Sequence, residues 1–225
     1  YVNDPSNENA AYRRVQARTL LASDPDLRRE ALGKASEAMR IRRVGKEGAF
    51  RILTESVEVS PEGFADLDIS VVDPGPGLKE SVRILICAFG DAEPRFRPGR
   101  LEGACEKMRG KTRFTLGGCM ITPDGKGRVR FSREAARVSP IAAIRGQDVR
   151  IEDRVLIEDA PGDGTIHMRA SQDGVSRPVL AGKDGKTARL PGVLLFGKED
   201  LTGERFFNEP DCVVLSQAPS PDFQT

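Results

Sequence analysis

Residues 113–133 read RFTLGGCMITPDGKGRVRFSR, and the break inside this stretch decides the fold. Pro123-Asp124-Gly125 is turn chemistry. Beyond it, Arg128-Val129-Arg130-Phe131-Ser132-Arg133 alternates charged or polar with apolar residues, the period of a strand with one buried face. The strand-like runs on either side of the turn predict a hairpin near 113–133. From there to residue 217 the chain continues as short apolar runs between Gly-rich turns, at Val149–Ile157, Thr165–Arg169, Val193–Phe196 and Cys212–Leu215. The Gly-rich turns of 160–190 read as hairpin connections, because no helix start follows them as a phosphate cradle needs.

Upstream the period changes. A first helix is expected from Ala10 to Leu21. Ser23 or Asp24 can then cap a second helix that carries Pro25 in its first turn. Leu27, Ala31, Ala35, Ala38 and Met39, then Ala49, Ile52, Leu53 and Val57, recur at helical spacing. They predict one long amphipathic helix or two, with Gly45 and Gly48 as the weak point. A brief strand is expected at Phe64–Val71, a break at Asp73-Pro74-Gly75-Pro76-Gly77, and helices over Leu78–Phe89 and Arg100–Met108. The class is α+β, with a helical N-terminal half before a β-rich C-terminal half. The divisions expected are 1–22, a helical region 23–110, a β-rich domain 111–217 and a loose tail 218–225.

Composition narrows the function. The longest apolar run, Ile84–Phe89, is far short of the roughly 20 residues of a membrane-spanning helix. Cys87, Cys105, Cys119 and Cys212 form no Cys-x-x-Cys pair and His167 is the only histidine, so no metal site is expected. Reduced thiols and a cytoplasmic location fit that usage, and His167 reads as a surface strand residue. The first residue is Tyr1 rather than Met, which suggests a portion of a longer protein. Net charge is only +1 but unevenly spread: residues 13–51 hold 11 Lys/Arg against 5 Asp/Glu, and 83–145 hold 14 against 6. Two basic stretches in an otherwise acidic chain suggest a polyanionic partner, although solvated faces give the same pattern.

DPSNENAAYRRVQAR, residues 4–18, places Asp4, Ser6 and Asn7 in a turn ahead of a helix. Arg14 and Arg18 lie four apart on one face of that helix. Read from the residues alone, this is either an ordinary cap with two solvated arginines or a site for phosphate or carboxylate. The segment resembles the end of the ATP-binding domain in bacterial tRNA(Ile)-lysidine synthetases. Residues 95–134, RFRPGRLEGACEKMRGKTRFTLGGCMITPDGKGRVRFSRE, look like a downstream part of the same family, where a short helix leads to TLGGC, a hairpin and a closing Arg-Glu.

The resemblance implies an ATP-dependent ligase that attaches L-lysine to C2 of the wobble cytidine of tRNA(Ile). ATP, with Mg2+, would first adenylate the base. Residues 1–22 would be the tail end of the catalytic domain. Asn7, Arg14 and Arg18 would lie at the ATP phosphates, with Arg18 offsetting charge as pyrophosphate leaves. Arg40, Arg42, Arg43, Arg95, Arg97, Arg100, Arg109, Lys111 and Arg113 would hold the tRNA backbone, as would Lys46 and Lys107. The family's Ser-Gly-Gly-x-Asp-Ser loop does not occur in this sequence, so the chain alone is expected to be inactive. Homodimerisation is left open. The alternative is a non-catalytic RNA-binding or adaptor protein.

Overall fold

The computed structural model describes residues 11–91, 96–97, 99–152, 155–182, 187–190, 193–194 and 201. Helix α1 (Arg13–Ser23) turns sharply into α2 (Pro25–Glu55). Asp24 makes the corner: its carboxylate accepts from the backbone N–H groups of Asp26 (3.0 Å) and Leu27 (2.9 Å), and Pro25 occupies the first helical position. These are donors that a helix start otherwise leaves unsatisfied. Asp24→Ala is expected to cost about 1 kcal/mol of helix stability. The readout is faster amide exchange over the first turn of α2 with unchanged exchange in the sheet.

Helix α2 runs unbroken through Gly45 and Gly48. The expected weak point is instead a helix crossing. Helix α3 (Pro76–Phe89) lies so close there that a Cβ on Gly48 would sit 3.0 Å from the Gly77 Cα. Glycine lets the two backbones approach, and Ala49, Ile52 and Leu53 of α2 then bury against α3. Between them lie β1 (Val57–Ser60) and β2 (Phe64–Asp68). Helix α4 (Arg100–Lys107) precedes β3 (Phe114–Leu116), β4 (Cys119–Pro123) and β5 (Arg128–Arg133).

These strands form one antiparallel sheet in the order β1-β2-β5-β4-β3. The predicted hairpin is its centre, with Cys119 opposite Arg133 and Pro123 opposite Val129. Asp124 closes that turn by accepting from the N–H groups of Lys126 and Arg128 (2.7 and 3.0 Å), and the Lys126 bond chiefly holds its carboxyl below the usual range. One face of the sheet, carrying Ala65, Leu67, Cys119, Ile121, Val129 and Phe131, packs on α2 and α3. The sheet therefore takes strands from both sides of residue 111, where a domain boundary was expected.

The other sheet face is mixed: Asp66 and Ser132 are buried on it together with Met120. It is covered by the second half of the fold. That half comprises a 3₁₀ turn (Ala135–Arg137), β6 (Ile141–Ala143), β7 (Val149–Ile151), β8 (Val155–Ile157), β9 (Gly164–Ala170), β10 (Ser176–Gly182), β11 (Thr187–Arg189) and β12 (Val193–Leu194). The strands make a sheet β11-β10-β9-β6 and a smaller one β12-β8-β7 around a second core that includes Ile151, Ile157, Ile166 and Leu180. The β9–β10 turn reaches the first sheet, where Ser132 Oγ donates to the Gly174 carbonyl (2.7 Å) and Ser176 Oγ to that of Arg133. The α+β class and the helical-then-β order are as the sequence indicated. The strand expected at 149–157 is two strands, and Phe196 and Cys212–Leu215 lie outside the described residues. No helix among the described residues is long and apolar enough to cross a membrane.

Candidate nucleic-acid interface

The residues of the 95–134 run come together at the end of α3. Gly117 and Gly118, at φ 58° and 71°, form the two-residue turn between β3 and β4. Successive left-handed residues match the strand twist there, and side chains resist that conformation. The Gly117 carbonyl accepts from the Asp91 N–H (2.6 Å), and the Gly118 carbonyl from the Glu134 N–H (2.9 Å) and Arg133 Nη1 (2.9 Å). Gly-Gly-Cys and Arg-Glu, distant in sequence, thus interlock.

Arg133 is the hub of this junction, and the sequence reading assigned it no role. Its guanidinium also donates to Asp91 (3.0 Å) and to both oxygens of Glu152 (2.7 and 2.8 Å), joining α3, the first sheet and the second half of the fold. Burial pulls its pKa down, but the bonds to Glu152 and Asp91 outweigh that, so the charge is held more firmly than in water. Arg177 makes a second link, donating to Asp173 (2.9 Å) and across the junction to Glu62 (2.8 Å).

The cations expected to hold RNA are carried by several elements. Arg40, Arg42 and Arg43 are exposed on α2. Arg40 is bidentate to Glu37 (2.8 and 2.7 Å), and Arg43 lies 3.4 Å from Glu47. Helix-neighbour carboxylates therefore already offset two of those charges. The Glu37 bond raises the Arg40 pKa, and the same bond lowers that of Glu37. Arg109, Lys111 and Arg113 are exposed between α4 and β3, where Lys107 Nζ also stands 5.7 Å from the Phe114 ring centre. Arg18 is exposed on α1. Asn7, Arg95 and the side chain of Arg14 lie outside the described residues.

Arg97 and Arg100 share one cleft of about 380 Å³ with Asp91, Phe96, Gly117 and a residue the sequence reading passed over, Arg137. Arg137 follows β5 by only a few residues, but nothing in its local sequence points toward Arg97. Among the described residues no group of three or more His, Cys, Asp or Glu side chains is placed to hold a metal. Cys87 and Cys119 are buried thiols outside any disulfide, and burial raises the Cys105 pKa. His167 is exposed on β9. Comparison with protein-family models and with curated protein sequences gives no match to this chain.

Proposed function

We propose that the chain is a C-terminal portion of a tRNA(Ile)-lysidine synthetase and that it serves mainly to hold the tRNA. The observation that carries this reading is the behaviour of the run most like those ligases. Its Gly-Gly-Cys and Arg-Glu signatures lock together through Gly118, Arg133 and Glu134, while Arg97, Arg100, Arg109, Lys111 and Arg113 stay exposed. Exposed cations on a rigid frame suit contacts to RNA phosphates, which position the nucleic acid without reading its sequence. DPSN followed by Arg14 and Arg18 supports the edge of an ATP site at residues 4–18.

In this reading ATP, with Mg2+, adenylates the C2 oxygen of the wobble cytidine and releases pyrophosphate, and the lysine ε-amine then attacks C2 and displaces AMP. Asn7, Arg14 and Arg18 stand on the phosphate side, where Arg18 offsets charge on the departing pyrophosphate. A cytoplasmic location goes with this chemistry. The test supplies the full-length gene product with ATP, radiolabelled lysine and unmodified isoleucine tRNA. Lysine in the tRNA and release of AMP are expected. RNA binding without lysine transfer, by a full-length protein that is folded and binds ATP, would leave the adaptor reading in its place.

A further inference from the structure

The cleft lined by Arg97, Arg100 and Arg137 gathers three cations. Its arginines come from three places: the segment before α4, the first residue of α4, and the 3₁₀ turn after β5. Arg97 and Arg100 have no ion pair among the described residues. Arg137 is 61% exposed and reaches Glu134 only at 3.9 Å. The one carboxylate among the described lining residues, Asp91, already accepts from Arg133 at 3.0 Å. Three arginines thus line a space in which the one described carboxylate is already engaged. At about 380 Å³ the space exceeds what a bare ion needs, and Phe96 and Leu116 give it an apolar wall. Phosphate oxygens suit the fork geometry of arginine, and the apolar wall suits a sugar or base edge.

We propose that this cleft seats one backbone phosphate of the bound RNA, with Arg137 as a binding residue beside Arg97 and Arg100, and with Arg133 as a positioning residue that neutralises Asp91. The assignment rests on the RNA-holding function above but not on lysine transfer, so the experiment reads binding. Full-length protein is titrated with isoleucine tRNA and with an unrelated RNA hairpin over a range of salt concentrations. The triple variant Arg97→Ala/Arg100→Ala/Arg137→Ala is expected to bind both RNAs about tenfold or more weaker. Its salt dependence should fall by about one unit of log–log slope, the loss of one phosphate contact.

Asp91→Asn should act in the opposite direction, tightening binding about two- to fivefold by removing the one negative charge among the cleft's described residues. The triple variant should retain the wild-type thermal transition, since its three arginines are exposed. The control is Arg40→Ala/Arg43→Ala on α2, whose charges Glu37 and Glu47 already offset. An equal loss there would mean diffuse charge attraction and overturn the seat. Unchanged affinity and slope in the triple variant would overturn it too. So would weaker binding of ATP or inorganic phosphate with intact RNA binding, which would assign the cleft to a free phosphate. Failure of lysine transfer with these binding results intact would remove the ligase reading and leave the seat standing.

Discussion

Substituting alanine for Gly90 is expected to lower the melting temperature by roughly 10 °C or more, or to prevent folding. Gly90 ends α3, its N–H bonded to the Ile86 carbonyl (2.7 Å), and the β3–β4 turn rests directly on it. A Cβ there would stand 2.2 Å from the Gly117 oxygen, 2.6 Å from the Ile86 oxygen and 2.9 Å from the Cys119 nitrogen. All three atoms are main chain, so no side chain can swing aside. Relief requires both a changed backbone at Gly90, to clear the Ile86 oxygen of α3, and movement of α3 away from the β3–β4 turn, which would break the bond from the Asp91 N–H to the Gly117 carbonyl. Overpacking usually costs about 1–3 kcal/mol and sometimes more. With a main-chain bond lost as well, about 4 kcal/mol is reasonable, and in a domain this size each kcal/mol moves the transition by about 2–4 °C. Gly33 in α2 is the control, with nothing within 4 Å of its Cβ position. Alanine there should stabilise the helix by up to about 1 kcal/mol. If Gly90→Ala melts within 2 °C of wild type, the close approach of α3 to the turn is wrong.

The contrast between these glycines shows where the sequence stops being informative. The hairpin was legible because Pro123-Asp124-Gly125 is a local signal flanked by clean alternation. The start of α2 was legible because Asp24 and Pro25 act within one turn. Gly45 and Gly48 were ambiguous: the same residues mark a weak helix or a crossing, and only the arrival of Gly77 from α3 decides. Strand β1 was hidden because Val57 continues the helical spacing of Leu53, and four residues carry too little period to break it. Strand β10 was hidden by Pro178, which argues against a strand. It is tolerated at the end of the ladder to β11, where Leu190 donates to its carbonyl (3.0 Å).

The candidate interface was legible as a list of cations and not as an arrangement. Sequence proximity grouped Arg40 with Arg42 and Arg43, but Glu37 and Glu47 on the same helix take up two of those charges. The convergence of Arg137 with Arg97 and Arg100 depends on β5 returning its end to the start of α4, which is tertiary information. Arg133 read as one more residue on an alternating strand. Its role comes from Asp91 and Glu152, which lie 42 residues before it and 19 after it.

Arg130→Ala is expected to cost about 3 kcal/mol, the other large effect, and for a different reason: it would strand a buried charge. Arg130 and Asp66 stand opposite each other on neighbouring strands, so their side chains share the mixed face of the first sheet. The pair is bidentate, Nε to Oδ1 and Nη2 to Oδ2 both at 2.7 Å. The Phe64 ring centre lies 4.0 Å beneath the guanidinium. The Asp66 side chain is only 9% exposed and that of Arg130 26%, so water cannot replace the lost partner well. The Asp66 bond is also the main reason the Arg130 pKa rises. Removing one member of a buried pair typically costs about 3–5 kcal/mol, whereas removing both costs much less. The lower end applies here because Arg130 is partly solvated. The double variant Asp66→Asn/Arg130→Ala should therefore be more stable than Arg130→Ala alone, by at least about 1 kcal/mol in urea unfolding. Because Arg130 Nη1 also reaches the Asp173 carbonyl (3.4 Å) in the turn that covers this face, proteolysis of the 171–175 turn should quicken in the single variant. A cost below about 1 kcal/mol, with no recovery in the double variant, would place the pair among ordinary surface ion pairs. The joint between the two cores would then rest on Arg133, Arg177 and the hydroxyl bonds of Ser132 and Ser176.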